Sequence, residues 1–323
     1  MNGKNSRRLV SVMLIALLCV VFGLSTSSFF TSLNIINLLR QAAFTGLIAC
    51  GVCFVMVGGG IDLSVGGLIC LVGVIVARAS QLWLPGILIV VIGVVTGAVL
   101  GLFNGFAVTK LHITEFVTTL ASGTVFTGLA LMTTFRDSGH IVSVTLKNMS
   151  FLVFGGTIGG IFIISIVWIV MTAVMQFVMG GTKFGLHVMA MGSQSKSAEM
   201  SGVNIRRTKV LTFVISGAIT GLAATLIVAY QTGTNQALGS MMEFNAIAAC
   251  VVGGVVMGGG KGDPISALLG ALFMTLITNG LYKWGLSTGG TYVMQGIVIL
   301  IAMNFDGQLN RVSQKRLENR GRL

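Results

Sequence analysis

Gly58-Gly59-Gly60-Ile61-Asp62-Leu63-Ser64-Val65-Gly66-Gly67 contains Asp62, the one charged side chain between Arg40 and Arg78. Everything around it is apolar or small. In a soluble protein such a run would be a long buried core. In a bilayer it is two membrane segments meeting at a glycine-rich break that holds a carboxylate. An ionisable group at membrane depth costs roughly 3 kcal/mol on insertion scales, so it needs a partner, a cavity or a nearby interface. Asp62 and Ser64 together form a helix-cap motif, because a carboxylate near a helix N-terminus accepts its free N–H groups and meets the positive end of the dipole. A charged turn at the membrane surface is the plainer reading. An ion or proton relay is the functional one, and it would need a second acidic or histidine partner.

The composition around this run favours the bilayer. Of 323 residues, 54% are hydrophobic and 9% charged, and the mean hydropathy is +0.95. Soluble domains carry roughly 25% charged residues, so this chain cannot cover a water-facing surface. The apolar runs are about 20 residues long and apolar all round, which is helix length for a ~30 Å hydrocarbon core and not the alternation of a barrel strand. The 45 glycines and two prolines suit helices packed closely through small residues. The fold class expected is all-α: a polytopic integral membrane protein with helices at 9–30, 42–60, 64–82, 86–108, 114–134, 158–179, 209–229, 244–258, 264–282 and 290–305.

Charge distribution orients the chain. The net charge of +12 might point to nucleic acid in a soluble protein, but here basic residues lie at the ends and in short loops. With the N-terminus in the cytoplasm and about ten crossings, Arg40, Arg78, Arg136, Lys147 and Lys283 fall outside. The other 15 of the 20 Lys and Arg residues fall inside, a strong positive-inside bias with both termini cytoplasmic. The whole chain, 1–323, reads as one transmembrane domain, with a cytoplasmic loop at 180–208 and a basic tail at 307–323. Lys4, Arg7 and Arg8 precede an apolar run too long for a signal peptide and without a clear cleavage site, so it reads as a retained first helix.

Catalytic chemistry has little support. Cys50-Gly51-Val52-Cys53 has redox spacing, but it lies mid-helix, and all five cysteines fall in apolar runs. Gly258-Gly259-Gly260-Lys261-Gly262-Asp263-Pro264 lacks the first glycine and the Ser or Thr of a phosphate-binding loop. It reads as a tight turn, with Asp263 and Pro264 starting a helix. His112, His140 and His187 are far apart, giving no metal spacing, and no serine has a plausible base. The expectation is neither an enzyme nor a cofactor-binding chain. Polar residues inside apolar helices are candidates for a solute path: Asn104, Thr118, Thr119, Ser122, Asn245 and Gln295. Each can equally stabilise a helix contact. Without charge partners, the set suits a neutral hydroxylated solute better than an ion. A segment resembling residues 116–130 recurs at 213–223 in the same direction, which reads as shared packing chemistry and not an inverted repeat.

Gly59-Gly60-Ile61-Asp62-Leu63-Ser64-Val65-Gly66 resembles the signature of ATP-binding-cassette sugar permeases of the ribose, xylose and galactoside branch. Phe30-Thr31-Ser32-Leu33-Asn34-Ile35-Ile36-Asn37, Glu115-Phe116-Val117-Thr118-Thr119-Leu120, Ala190-Met191-Gly192 with Ala198-Glu199-Met200-Ser201-Gly202-Val203-Asn204, Glu243-Phe244-Asn245-Ala246-Ile247-Ala248-Ala249, and Leu268-Leu269-Gly270-Ala271-Leu272 resemble further family segments in the right order. Two departures stand out. Asn245 replaces the family's usual Asp, and Ser193-Gln194-Ser195-Lys196 replaces its glycine-asparagine-acidic run.

The resemblance implies a permease subunit in the bacterial inner membrane that hydrolyses nothing itself. Its expected partners are a cytoplasmic two-cassette ATPase, a periplasmic solute-binding protein and a second permease subunit. ATP and Mg would be bound by the ATPase. Docking is expected on one helix over 189–203 ended by Ser201-Gly202, with Met191, Lys196, Glu199, Ser201 and Gly202 in the coupling role. An ion-coupled secondary transporter is the competing class.

Overall fold

The computed structural model describes residues 3–134, 144–235, 238–298 and 300. Helices dominate: α1 Gly3–Ser25, α2 Ser32–Val57, α3 Val65–Gln81, α4 Gly86–Leu111, α5 Glu115–Thr134, α6 Met149–Leu152, α7 Ile163–Gly181, α8 Lys183–Ser193, α9 Ser195–Met200, α10 Ile205–Gln231, α11 Met242–Gly253 and α12 Pro264–Lys283. A further helix, α13, occupies 288–298. Two antiparallel pairs of two-residue strands decorate the loops. β1 (Val144–Thr145) pairs with β4 (Gly233–Thr234), and β2 (Thr157–Ile158) pairs with β3 (Ile161–Phe162). Among the described residues, seven helices are long and apolar enough to cross a membrane, and α3 and α11 are shorter apolar helices. The chain is an all-α, multi-pass membrane protein.

The helices are sorted by how much of them touches protein. α2 and α3 are buried along most of their length, and α10 is buried through its second half. α4 presents Ile87, Val91, Val95, Val99, Leu102 and Phe106 outward, as a lipid-facing rim requires. Its other face is a glycine stripe at every fourth position: Gly93, Gly97, Gly101 and Gly105. A Cβ on Gly97 would collide with the carbonyl of Gly217, and one on Gly221 with that of Gly93. The two backbones touch, which is how small residues join transmembrane helices.

Several helix ends differ from the sequence reading. α2 starts at Ser32, not at residue 42, because Thr31 is a true N-cap whose hydroxyl accepts from the Asn34 N–H. The polar residues that suggested a connecting segment are paired inside the fold. Asn34 and Asn279 exchange amide hydrogen bonds of 3.1 Å, and Arg40 donates to the Tyr230 hydroxyl and stacks on the Phe162 and Tyr230 rings. α7 starts at Ile163 instead of 158, since 157–162 is spent on the β2–β3 hairpin. α11 ends at Gly253 and not at 258, because Gly254 takes a left-handed φ of 99° and stops it. The 180–208 loop is largely helical. The single helix expected over 189–203 is two, α8 and α9, broken at the extended Gln194. Gly202, with φ 87°, follows α9 as expected. Asp263 is the N-cap of α12, and Pro264 opens that helix. The tail at 307–323, and Arg136, Asp137 and His140 of the long loop, lie outside the described residues.

Loop contacts fall into two sets. At the Asp62 end, Arg8 pairs with Asp263 at 2.8 Å, Lys209 pairs with Glu115, and the glycines at 58–60, 192 and 258–260 meet. At the Arg40 end, β1 joins β4, Asn148 donates to the carbonyls of Ser80 and Leu84, and the Trp284 indole donates to Ser25.

Candidate functional site

The break between α2 and α3 is organised by Asp62, which is 1% exposed. Its Oδ1 accepts from the Ser64 N–H at 3.1 Å and the Ser64 hydroxyl at 2.6 Å. Its Oδ2 accepts from the Ser216 hydroxyl of α10 at 2.9 Å. The Asn104 amide of α4 donates to Ser64 Oγ at 2.7 Å. Thr119 Oγ1 of α5 accepts from the Leu63 N–H at 3.0 Å. The cap expectation needs correcting here. Ser64 is the N-cap position of α3, but its side chain makes no capping bond. Asp62 folds back on Ser64 as a local turn and reaches across to α10. The carboxylate thus joins the start of α3 to α10, Ser64 and Leu63 add α4 and α5 to the cluster, and three donors satisfy the carboxylate in a region where an unpaired charge would be costly.

Beneath this cluster the backbone is packed too tightly for side chains. The Gly260 N–H donates to Val57 O at 2.7 Å. A Cβ on Gly259 would lie 2.7 Å from Gly59 Cα and 2.8 Å from Gly192 O. One on Gly192 would strike Val57 O and come within 2.5 Å of Gly260 N. The end of α2, the end of α8 and the glycine turn before α12 therefore meet backbone to backbone.

The coupling candidates divide. Lys196, Glu199, Ser201 and Gly202 are exposed on and after α9. Met191 is 4% exposed, and its methyl lies against Gly58. It packs inside the fold and does not offer a surface. The pathway candidates divide as well. Asn104, Thr119 and Ser122 are buried, with Asn104 and Thr119 held in the Asp62 cluster. Gln295 donates to Thr278 of α12 at 2.8 Å. Thr118 is buried, and its hydroxyl has no partner among the described residues. Asn245 is half-buried on α11. No single cleft gathers all six. Ser216 was missed by sequence reasoning; a serine beside Gly217 in an apolar helix was the only signal.

The arrangement is a helical membrane core with a cluster of buried hydroxyls and two short helices, α8 and α9, at one end. Residues 34–303 match the family described as "Branched-chain amino acid transport system / permease component". The chain is 36% identical over 291 residues to the ribose import permease protein RbsC of Bacillus subtilis, covering 90% of this chain and 89% of that one. It is 30% identical over 304 residues to RbsC of Haemophilus influenzae, with 93% of both chains covered. The xylose transport system permease protein XylH of Escherichia coli is 28% identical over 371 aligned positions, covering 94% of this chain and 93% of that one. No solved structure matches. The chain belongs to this permease family, in the ribose and xylose branch of ATP-binding-cassette sugar importers. Its relatives are membrane translocation subunits and not enzymes.

Proposed function

We propose that this chain is the membrane-spanning subunit of a binding-protein-dependent, ATP-driven importer for a sugar or similar small hydroxylated solute. The observation that carries the reading is the similarity to two ribose import permeases over about nine tenths of the chain. D-Ribose is accordingly the first solute to test. A cytoplasmic two-cassette ATPase binds ATP and Mg and docks on the exposed residues of α9, Lys196, Glu199, Ser201 and Gly202. Contacts through Met191 and Gly192 pass its movement to the α2–α3 break. A periplasmic binding protein delivers solute at the Arg40 end, and two permease subunits form the channel. Thr118, Ser122 and Asn245 remain the pathway candidates, because Asn104, Thr119 and Gln295 are engaged between helices.

The same reading places the chain in the bacterial inner membrane with ten crossings and both termini in the cytoplasm. α3, α11 and α13 join the seven long spans in that count. The two sets of loop contacts support it, because alternation puts every loop of the Asp62 set on one side. Single cysteines at Thr145 and Ser195, in a background without the native five, should label from opposite faces; labelling of both from outside would break the ten-crossing arrangement. A tagged chain should also co-purify with a two-cassette ATPase, and recovery without any ATPase would count against the assignment.

A further inference from the structure

α11 begins in the interior of the membrane core and not at either end. Ser216, the donor to Asp62, is the twelfth residue of α10, about 17 Å along it at 1.5 Å per residue. Gly66, in the first turn of α3, lies in the same layer. Gly239 and Glu243 pack against it. A Cβ built on Gly66 would strike the Glu243 carboxylate and sit 2.9 Å from Gly239 O. Glu243 therefore stands near mid-depth, in the first turn of a 12-residue helix. That helix is about 18 Å long, too short to cross a ~30 Å hydrocarbon core alone. Broken helices at mid-depth are where transporters place solute contacts.

The carboxylate itself is the second observation. By comparison, Asp62 has three donors, Glu115 has Lys209, and Asp263 has Arg8 and Ser266. Glu243 is half-buried, and its Oε2 is shielded with no partner among the described residues. A carboxylate oxygen left without a partner at membrane depth is costly, and such residues mark solute or ion pathways. A cation would need further ligands. Among the described residues no group of three His, Cys, Asp or Glu converges. What a lone carboxylate can do is accept two hydrogen bonds from neighbouring hydroxyls, the pattern that vicinal sugar hydroxyls present.

We propose that Glu243 lines the permeation path and accepts hydrogen bonds from the hydroxyl groups of the passing solute. This rests on the sugar-importer reading for the solute, but not for the accessibility of the residue. Two measurements separate them, both on the full chain assembled with its ATPase. In the first, Glu243→Cys is made with Cys19, Cys50, Cys53, Cys70 and Cys250 replaced by Ala, and treated with a charged, membrane-impermeant methanethiosulfonate. Val95→Cys on the lipid-facing rim of α4 is the control. The Glu243 thiol should react at least tenfold faster than the control in the nucleotide-free or the ATP-bound state. Equally slow reaction in both states overturns the proposal.

In the second, D-ribose uptake is measured at saturating binding protein. Glu243→Ala should cut uptake tenfold or more while binding-protein-stimulated ATP hydrolysis stays within twofold. Glu243→Gln should fall between, since its carbonyl still accepts. Wild-type uptake by Glu243→Ala, or equal loss of uptake and hydrolysis in both variants, overturns the proposal. If wild-type chain moves no ribose, the sugar reading fails while the thiol measurement still decides the place of Glu243.

Discussion

Asp62 and Glu243 both touch the first turn of α3, one leading into it and the other packed on Gly66, yet they are treated in opposite ways. Asp62 has three donors and almost no exposure. Glu243 has an oxygen without a partner and a partly exposed side chain. A fully satisfied buried carboxylate behaves as a bracket: it fixes which helices meet and leaves no valence for a passenger. An unsatisfied one is retained at a cost to stability, and that cost points to use. Asp62 is buried and Glu243 only half-buried, and their donors differ in the same sense. Counting their donors separates them.

The sharpest way to break this contrast is to disturb the paired side where the backbones touch. Gly192→Ala should abolish or strongly reduce the folded yield. Its Cβ would meet Val57 O and Gly260 N, and backbone cannot swing aside as a side chain can. Overpacking of this kind typically costs about 1–3 kcal/mol. Detergent-solubilised yield and thermal midpoint are the readouts, and wild-type values in both would mean the glycine contact has room to relax.

Asp62 offers a graded test. Asp62→Leu leaves the Ser64 and Ser216 hydroxyls and the Ser64 N–H buried without their acceptor, at about 1–3 kcal/mol for each unsatisfied group. Asp62→Asn keeps one acceptor oxygen for Ser64. The Ser216 hydroxyl can rotate to accept from the new amide, so most stability and transport should survive. If both variants fold normally and only transport disappears, Asp62 belongs to the pathway and the contrast with Glu243 collapses.

The smallest stability effect belongs to the exposed coupling segment. Gly202→Val puts a β-branched residue at φ 87°, a strain of about 1–3 kcal/mol confined to one surface turn. Glu199→Arg reverses an exposed charge. Both should insert and assemble, but the partner ATPase should then hydrolyse ATP without matching uptake. Normal coupling in both would move the ATPase contact elsewhere, with the Gly258–Pro264 turn next.

How much of this could be read from the chain depended on whether local chemistry marked the boundary. Asp263-Pro264 predicts the start of α12 because an N-cap followed by proline is a local signal. α3 and α5 were placed within a residue because glycine or a charge brackets each apolar run. The sequence makes α11 five residues too long at its end, since Gly254 sits in a run apolar throughout. The start of α2 was hidden because its polar residues are satisfied by Asn279 and Tyr230, far away in sequence. The Asp62 turn was recognised as the key feature, but not its partners. Ser216 is 154 positions away, and no periodicity encodes that approach. In the sequence Glu243 stands only as part of a family segment, for the same reason: its place depends on Gly66, which only the fold brings beside it.

The chain should move solute only when an ATPase drives it. The direct measurement is D-ribose uptake into proteoliposomes holding the chain, a co-purified two-cassette ATPase and the binding protein. ATP and Mg are supplied on the ATPase side, and all proton and sodium gradients are collapsed by ionophores. Uptake should require ATP and the binding protein and be indifferent to the ionophores. Uptake by the chain alone, driven by a proton or sodium gradient and abolished by the ionophores, would contradict it.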